Sequence, residues 1–197
     1  MKGIDKTIRF AALCAGVLVA AQATAAPVTY NLDPTHTYPS FAADHFGGLS
    51  VWRGKFRSSS GKVVLDRDAG TGSVSVTIET ASIDFGLDKM DEHARSAEIF
   101  DVAKFPTATY EGKLAGFKAG VPTEVQGQLT LHGVTKPVTL TIRSFLCKPN
   151  PMTKKETCGA DATATINRAD FGVSYGQAYG FNQTVILDLQ VEGVRAD

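Results

Sequence analysis

The chain has 197 residues, 43% of them hydrophobic, with 20 basic and 20 acidic side chains. That length fits one domain plus a short tail. The balanced charge gives no support for a nucleic-acid or anionic-membrane partner and leaves only a local patch open.

The first 26 residues read as a secretory signal peptide. Lys2, Lys6 and Arg9 make a positive start. Phe10 to Ala20 is an apolar run too short to span a bilayer comfortably, and Ala23-Thr24-Ala25 and Thr24-Ala25-Ala26 both offer small residues for cleavage. An uncleaved anchor is the alternative. The expected mature domain is 27–197, periplasmic, with 17 basic against 19 acidic residues and a net charge of about −2. No later run reaches 18 apolar residues, so a soluble domain is expected.

Short strands follow. Val28–Leu32 is the first, and Pro34 and Pro39 break or expose whatever lies at Thr35–Ser40. Ser40–Phe46 and Ser50–Phe56 are separated by Gly47-Gly48. Gly61–Asp66 and Gly72–Thr80 flank the turn Asp66-Arg67-Asp68-Ala69-Gly70. Val74, Val76 and Ile78 alternate with Ser75, Thr77 and Glu79, so one face is buried and one wet. Later strands are Ala108–Phe117, Glu124–His132, Pro137–Cys147, Asp161–Asn167 and Gln183–Val194. Leu129 pairs with Leu131 on one face, and Leu140 lies between Val138 and Ile142 on another. Regular short strands with turn signals predict an antiparallel all-β sandwich or barrel.

One stretch departs from this pattern. Asp84–Pro106 places Met90, Ala94, Ala97 and Ile99 at helical spacing between charged residues. A helix is predicted over Asp88–Ile99, with Asp88 as N-cap and Asp91 and Glu92 in the first turn. Pro106 forbids its continuation. A lone helix with one apolar stripe is expected to lie over or beside the barrel opening.

Small residues on apparently inward faces (Ala42, Ala108, Gly112, Ala162, Ala164) favour a barrel with an interior cavity over a packed sandwich. The early strands contribute the aromatics Phe41, Phe46, Trp52 and Phe56. Phe85, Ile99, Phe100, Phe105 and Tyr110 bracket the helix. With Val76, Ile78, Leu131, Leu140 and Phe171 these form the candidate lining, suited to a long apolar ligand. Arg53, His93 and Arg95 are the candidate contacts to a polar headgroup.

The two mature cysteines, Cys147 and Cys158, are expected to form a disulfide, as an even pair in an exported chain does. His36, His45, His93 and His132 show neither i, i+2 nor i, i+4 spacing, so no metal site is predicted. Neither a nucleophile-elbow sequence nor a glycine-rich nucleotide fingerprint occurs, so no catalytic residue is assigned. His132, beside Gly133 at a hairpin, is expected to be structural and to satisfy nearby backbone groups.

Six stretches together resemble one family: DPTHTYPSF at Asp33–Phe41, RGKF at Arg53–Phe56, SID at Ser82–Asp84, HARSAEIFDVAKFP at His93–Pro106, LTLHGVTKPV at Leu129–Val138 and INRADFG at Ile166–Gly172. In this order they are similar to the YceI-like family of exported polyisoprenoid-binding proteins. The resemblance implies an extended antiparallel lipocalin-like barrel with one short helix. It implies an isoprenoid lipid inside, an isoprenoid quinone or a polyprenyl phosphate, with no catalytic residue and no required cofactor. Ile99-Phe100 stands where the family often has paired aromatics, and the Cys147–Cys158 loop looks like an addition. The expected partner is the lipid and not nucleic acid; transient membrane contact and a homodimer are left open. Two other functions compete. One is an enzyme using His93 or His132 as acid–base, marked by a His–carboxylate or His–His pair facing the cavity. The other is an interaction module using Gln183–Val194 as an edge strand.

Overall fold

A computed structural model describes residues 26–197; the predicted signal peptide up to residue 25 lies outside the described residues. The strands are β1 (Val28–Leu32), β2 (Tyr38–His45), β3 (Ser50–Phe56), β4 (Ser59–Asp66), β5 (Thr71–Glu79), β6 (Ile83–Asp84), β7 (Thr107–Ala115), β8 (Glu124–Leu131), β9 (Val134–Pro149), β10 (Glu156–Asn167) and β11 (Thr184–Arg195). The single α-helix among the described residues is α1 (Asp88–Arg95).

Neighbouring strands pair antiparallel in the order β1-β4-β5-β7-β8-β9-β10-β11, and β1 pairs β11 to close an eight-stranded barrel. Closure leaves no open edge in the ring. Strand β11 shares one side between two partners: β1 takes Gly193–Arg195 and β2 takes Val185–Gln190. Between them the chain steps sideways at Asp33–Thr37. The Asp33 carboxylate accepts from the Thr35 N–H and hydroxyl, and the buried Thr37 hydroxyl donates to the Glu192 carbonyl. From β2 the wall continues through β3 to β6. This extension lengthens one side of the barrel beyond the closed ring. The edge-strand reading of Gln183–Val194 is overturned, because β11 has neighbours on both sides.

Several sequence expectations shift. Strand β9 begins at Val134 and includes Pro137. It can, because β10 pairs with β9 only from Pro149 to Thr141, so Pro137 opposes Gln128 of β8 alone. The helix is shorter than predicted: it starts at Asp88 after an extended Leu87 that provides no side-chain cap, and stops at Ser96. The Ser96 hydroxyl donates to the His93 carbonyl, and Ser96 itself is extended. Asp91 turns its carboxylate to the Phe85 N–H instead of serving only the helix. Ala97 consequently lies outside the helix and is exposed. On β2 the inward residues are Phe41 and Ala43, so Ala42 faces the outer side.

Tyr30, Leu65 and Cys158 anchor the core at one end of the barrel. Cys147 and Cys158 are opposite residues of β9 and β10 there, joined by a disulfide. The main cluster holds the inward faces of β7 to β11. The third joins Phe56 and Ile83 to fully buried Ala94. Ala94 is the small residue that lets α1 sit flush against the extended wall, where a larger side chain would overpack by about 1–3 kcal/mol.

Candidate functional site

The barrel encloses a cavity of about 490 Å³, lined overwhelmingly by apolar side chains, within the roughly 300–1,000 Å³ usual for ligand pockets. Its shape follows from the strand register. Lining residues run along β11 from Val191 to Val185, and β2 carries the lining on to His45, two residues beyond Ala43, the partner of Val185. Eight residue steps at ~3.3 Å give roughly 26 Å along the strands. The space is a tunnel, suited to a chain more than to a compact molecule. Pro122, Phe145 and Leu32 line its far end.

The two walls differ in chemistry. Aliphatic residues of β5, β8, β9 and β11, such as Val76, Leu129, Leu140 and Leu187, form one. The other is a run of aromatic rings: His45 stacks on Trp52 at 5.1 Å, Trp52 meets Phe85 at 5.9 Å, and Phe85 meets Phe41 at 5.5 Å. Phe41 then meets Phe56 at 5.9 Å and Phe56 meets Phe100 at 5.8 Å. Gly54 makes this possible, because a Cβ there would lie 2.6 Å from the Phe41 ring. Glycine also seats Tyr110. Gly112 and Gly127 oppose each other across β7 and β8, and the Tyr110 ring lies over the gap they leave. Its hydroxyl lies 2.8 Å from the Val138 carbonyl and 3.0 Å from that of Val125. Burial pushes its pKa up to about 12.

Polar groups gather at the opposite end. Arg168 lines the cavity and donates to the carbonyls of Val173 and Tyr175. Desolvation pulls its guanidinium below the ordinary value, with the Asp44 charge opposing that shift. No carboxylate lies within 4 Å of it among the ion pairs of the described residues. Asp44 accepts from the N–H groups of Gly47, Gly48 and Asn182. These bonds, that from Asn182 foremost, hold its carboxyl below the usual range. His93 of α1 lines the same end, packs edge-on against Tyr175, and pairs with Glu98 at 2.7 Å. This end, with Phe46, His45, Phe181 and Tyr175, is the mouth.

The structure brings twelve of the fourteen candidate lining residues to the cavity: Phe41, Phe46, Trp52 and Phe56; Val76 and Ile78; Phe85, Ile99, Phe100 and Tyr110; Leu131 and Leu140. Phe105 and Phe171 are elsewhere. Phe105 packs on the His132 ring at 4.2 Å, because the chain turns at Asp101 (φ 44°) and leaves the cavity wall. Phe171 is buried within the wall. Of the headgroup candidates only His93 lines the cavity. Arg53 lies in an outer groove with Lys55, Asp84 and Asp188, since Trp52 and Phe56 take the inward positions of β3. Arg95, two helix positions past His93, does not border the tunnel. His132 occupies the hairpin as expected, at φ 52°, but its buried Nε2 finds no hydrogen-bond partner among the described residues. Tyr175 and Phe181, late aromatics that the sequence also offers for an apolar ligand, line the cavity, whereas sequence reasoning missed His45 and missed Arg168, although it stands in the INRADFG stretch.

Cys147, Glu156 and Cys158 form the one cluster of potential metal ligands among the described residues, and the disulfide already uses both sulfurs.

Comparison with known proteins places this geometry. A YceI-like domain model matches residues 30–193. A UPF0312 protein of Pseudomonas paraeruginosa is 34% identical over 194 residues, 98% of this chain and 99% of the relative. A UPF0312 protein of Pseudomonas putida is 34% identical over 193 residues, 98% of each. The fold is shared with Burkholderia cenocepacia BcnA at 24% identity and TM-score 0.62, covering 79% of this chain and 95% of that one. It is shared too with a polyisoprenoid binding domain from Saccharophagus degradans, at 18% identity and TM-score 0.59, covering 85% and 98%. With its motifs, its extended barrel and a match over nearly all the described residues, this chain belongs to the YceI-like family.

Proposed function

We propose that this protein binds a long-chain isoprenoid lipid inside its barrel and carries or stores it in the periplasm, without a cofactor and without catalysing a reaction on it. The single observation that carries this reading is the apolar tunnel, whose charged lining residues and histidines, Asp44, His45, His93 and Arg168, all gather at its mouth. The related domain from Saccharophagus degradans is described as polyisoprenoid-binding. Energetics favour a long chain. Burying a CH₂ is worth about 0.8 kcal/mol, so a five-carbon isoprene unit brings roughly 4 kcal/mol. Association costs about 4–15 kcal/mol, which about four units offset. The headgroup sits at the mouth, where Arg168 suits a phosphate and the His45–Trp52 stack suits a quinone ring.

Geranylgeraniol, with four isoprene units, tests the tunnel. Saturation at about 100 times Kd stabilises by about 2.7 kcal/mol, a Tm rise of about 5–11 °C for a domain this size. Ala162→Phe, which fills the tunnel from β10, removes that rise. An equal rise in this variant, or none in the wild type, contradicts the reading.

A second reading rests on the His93–Glu98 pair, a histidine and a carboxylate at the cavity mouth. That is the arrangement a general base acting on an apolar substrate needs. Under the carrier reading the pair positions α1 over the mouth, and recovered lipid is chemically identical before and after incubation with either wild type or His93→Gln. Conversion of the lipid by wild type alone favours the enzyme.

A further inference from the structure

Two loops frame the mouth; the one joining β10 to β11 opens with Arg168 and Asp170, and beyond them both loops are uncharged. Residues 45–52 and 171–187 contain no Asp, Glu, Lys or Arg, in a chain where 20% of residues are charged. From them Leu49, Tyr179, Phe46 and Val51 project to solvent at 76%, 68%, 55% and 52% exposure. Leu87 adds 54% from the start of α1. Exposed large apolar groups clustered on one end of a domain mark a docking surface.

The loops hold these side chains outward. Asp44 accepts from Gly47 and Gly48 in one loop and from Asn182 at the end of the other, tying the two together. Gly47 lies so close to Gly180 that an added Cβ would meet its carbonyl oxygen at 3.1 Å. Phe46 adopts φ 50°, an uncommon backbone state for a bulky residue, and packs against Phe181 at 4.8 Å. Folding inward would break these contacts.

We infer that this rim is a membrane-docking surface, which seats the barrel mouth in the interfacial layer of a lipid bilayer so that apolar cargo passes between membrane and tunnel without crossing water. The inference rests on the carrier reading above. What selects a bilayer is continuity: Phe46 and Tyr175 both line the cavity and reach solvent, so the apolar wall runs unbroken from tunnel to rim. Tyrosine and phenylalanine beside aliphatic residues are the composition of an interfacial belt. The helix beside the loops carries Asp88, Asp91 and Glu92 against Lys89 and Arg95, and with Glu98 after it the balance is acidic. Attachment is therefore apolar, favours zwitterionic over anionic lipid, and is insensitive to salt.

The probe is built in, because Trp52 is the sole tryptophan and lines the mouth. The full protein is mixed with phosphatidylcholine vesicles whose acyl chains are brominated. Sedimentation with the vesicles and quenching of Trp52, both unchanged by added salt, are expected. Leu49→Ser combined with Tyr179→Ser, two residues outside the cavity lining, weakens sedimentation by at least about tenfold. The same variant takes up geranylgeraniol from detergent solution as the wild type does. Failure to sediment, loss of sedimentation in salt, or equal sedimentation of the double variant overturns the proposal. So does a dimer in solution that the double variant dissolves, which assigns the rim to a second copy. Absence of uptake from detergent counts against the carrier reading alone, since vesicle binding is read separately.

Discussion

Phe100→Ala distinguishes a lined tunnel from a packed core. Truncating a phenylalanine in a close-packed interior costs about 3–5 kcal/mol. Phe100 is only partly buried. It contacts the third core cluster, meets Phe56 edge-on at 5.8 Å, and turns its remaining surface to the cavity. The aromatic pair is worth about 0.5–1.5 kcal/mol, and part of the remaining burial belongs to a ligand. Ligand-free protein should therefore lose about 2 kcal/mol, a Tm fall of about 4–8 °C at this size. With geranylgeraniol present the gap between wild type and variant widens, because the variant also binds more weakly. Scanning calorimetry with and without the lipid reads both numbers. A loss of 3–5 kcal/mol that is the same with and without lipid would refute the reasoning, since Phe100 would then be packing and nothing more.

Other outcomes follow from the same geometry. Arg168→Gln should lower retention of a polyprenyl phosphate by about tenfold or more and that of a quinone much less, whereas Arg53→Ala and Arg95→Ala, which do not border the tunnel, should leave both unchanged in a competition assay. Replacing Cys147 and Cys158 together by serine removes a cross-link of sequence separation 11, worth about 2.8 kcal/mol in the chain-entropy model, so calorimetry should show a Tm fall of about 6–11 °C. Tyr110 by burial, and Tyr30 by burial and then its hydrogen bond to Glu156, are raised to about 12. Their neutral forms are favoured in the fold, so this stability is complete below the unfolded value of about 10 and is lost as pH rises through about 12. Ultraviolet titration should show both ionising late, together with alkaline unfolding.

Much of the barrel was legible because period-two alternation is a local signal. Val74, Val76 and Ile78 announce both a strand and its inner face. The errors fall where tertiary geometry overrides local pattern. Trp52 and Arg53 are consecutive strand residues, so only one can face a lumen; alternation alone predicts that Arg53 is outside. His93 and Arg95, two apart on a helix, likewise point away from each other. On β2 the pattern FAADH permits either register, and pairing of Phe41 with Gly54 decides it. Arg168 was hidden for another reason. It follows β10 in a short 3₁₀ turn, whose bonds to Val173 and Tyr175 aim it in a way that neither alternation nor helical period encodes. The disulfide needed only a count of two, because β9 and β10 are sequential and pair directly.

The central claim is that the tunnel holds an isoprenoid chain. Organic extraction of the purified protein followed by mass spectrometry tests it most directly. The account predicts one lipid class built of repeating five-carbon units, near one per protein, and its loss from Ala162→Phe purified in parallel. Recovery of no lipid, of ordinary phospholipid acyl chains, or of the same isoprenoid from Ala162→Phe would contradict it.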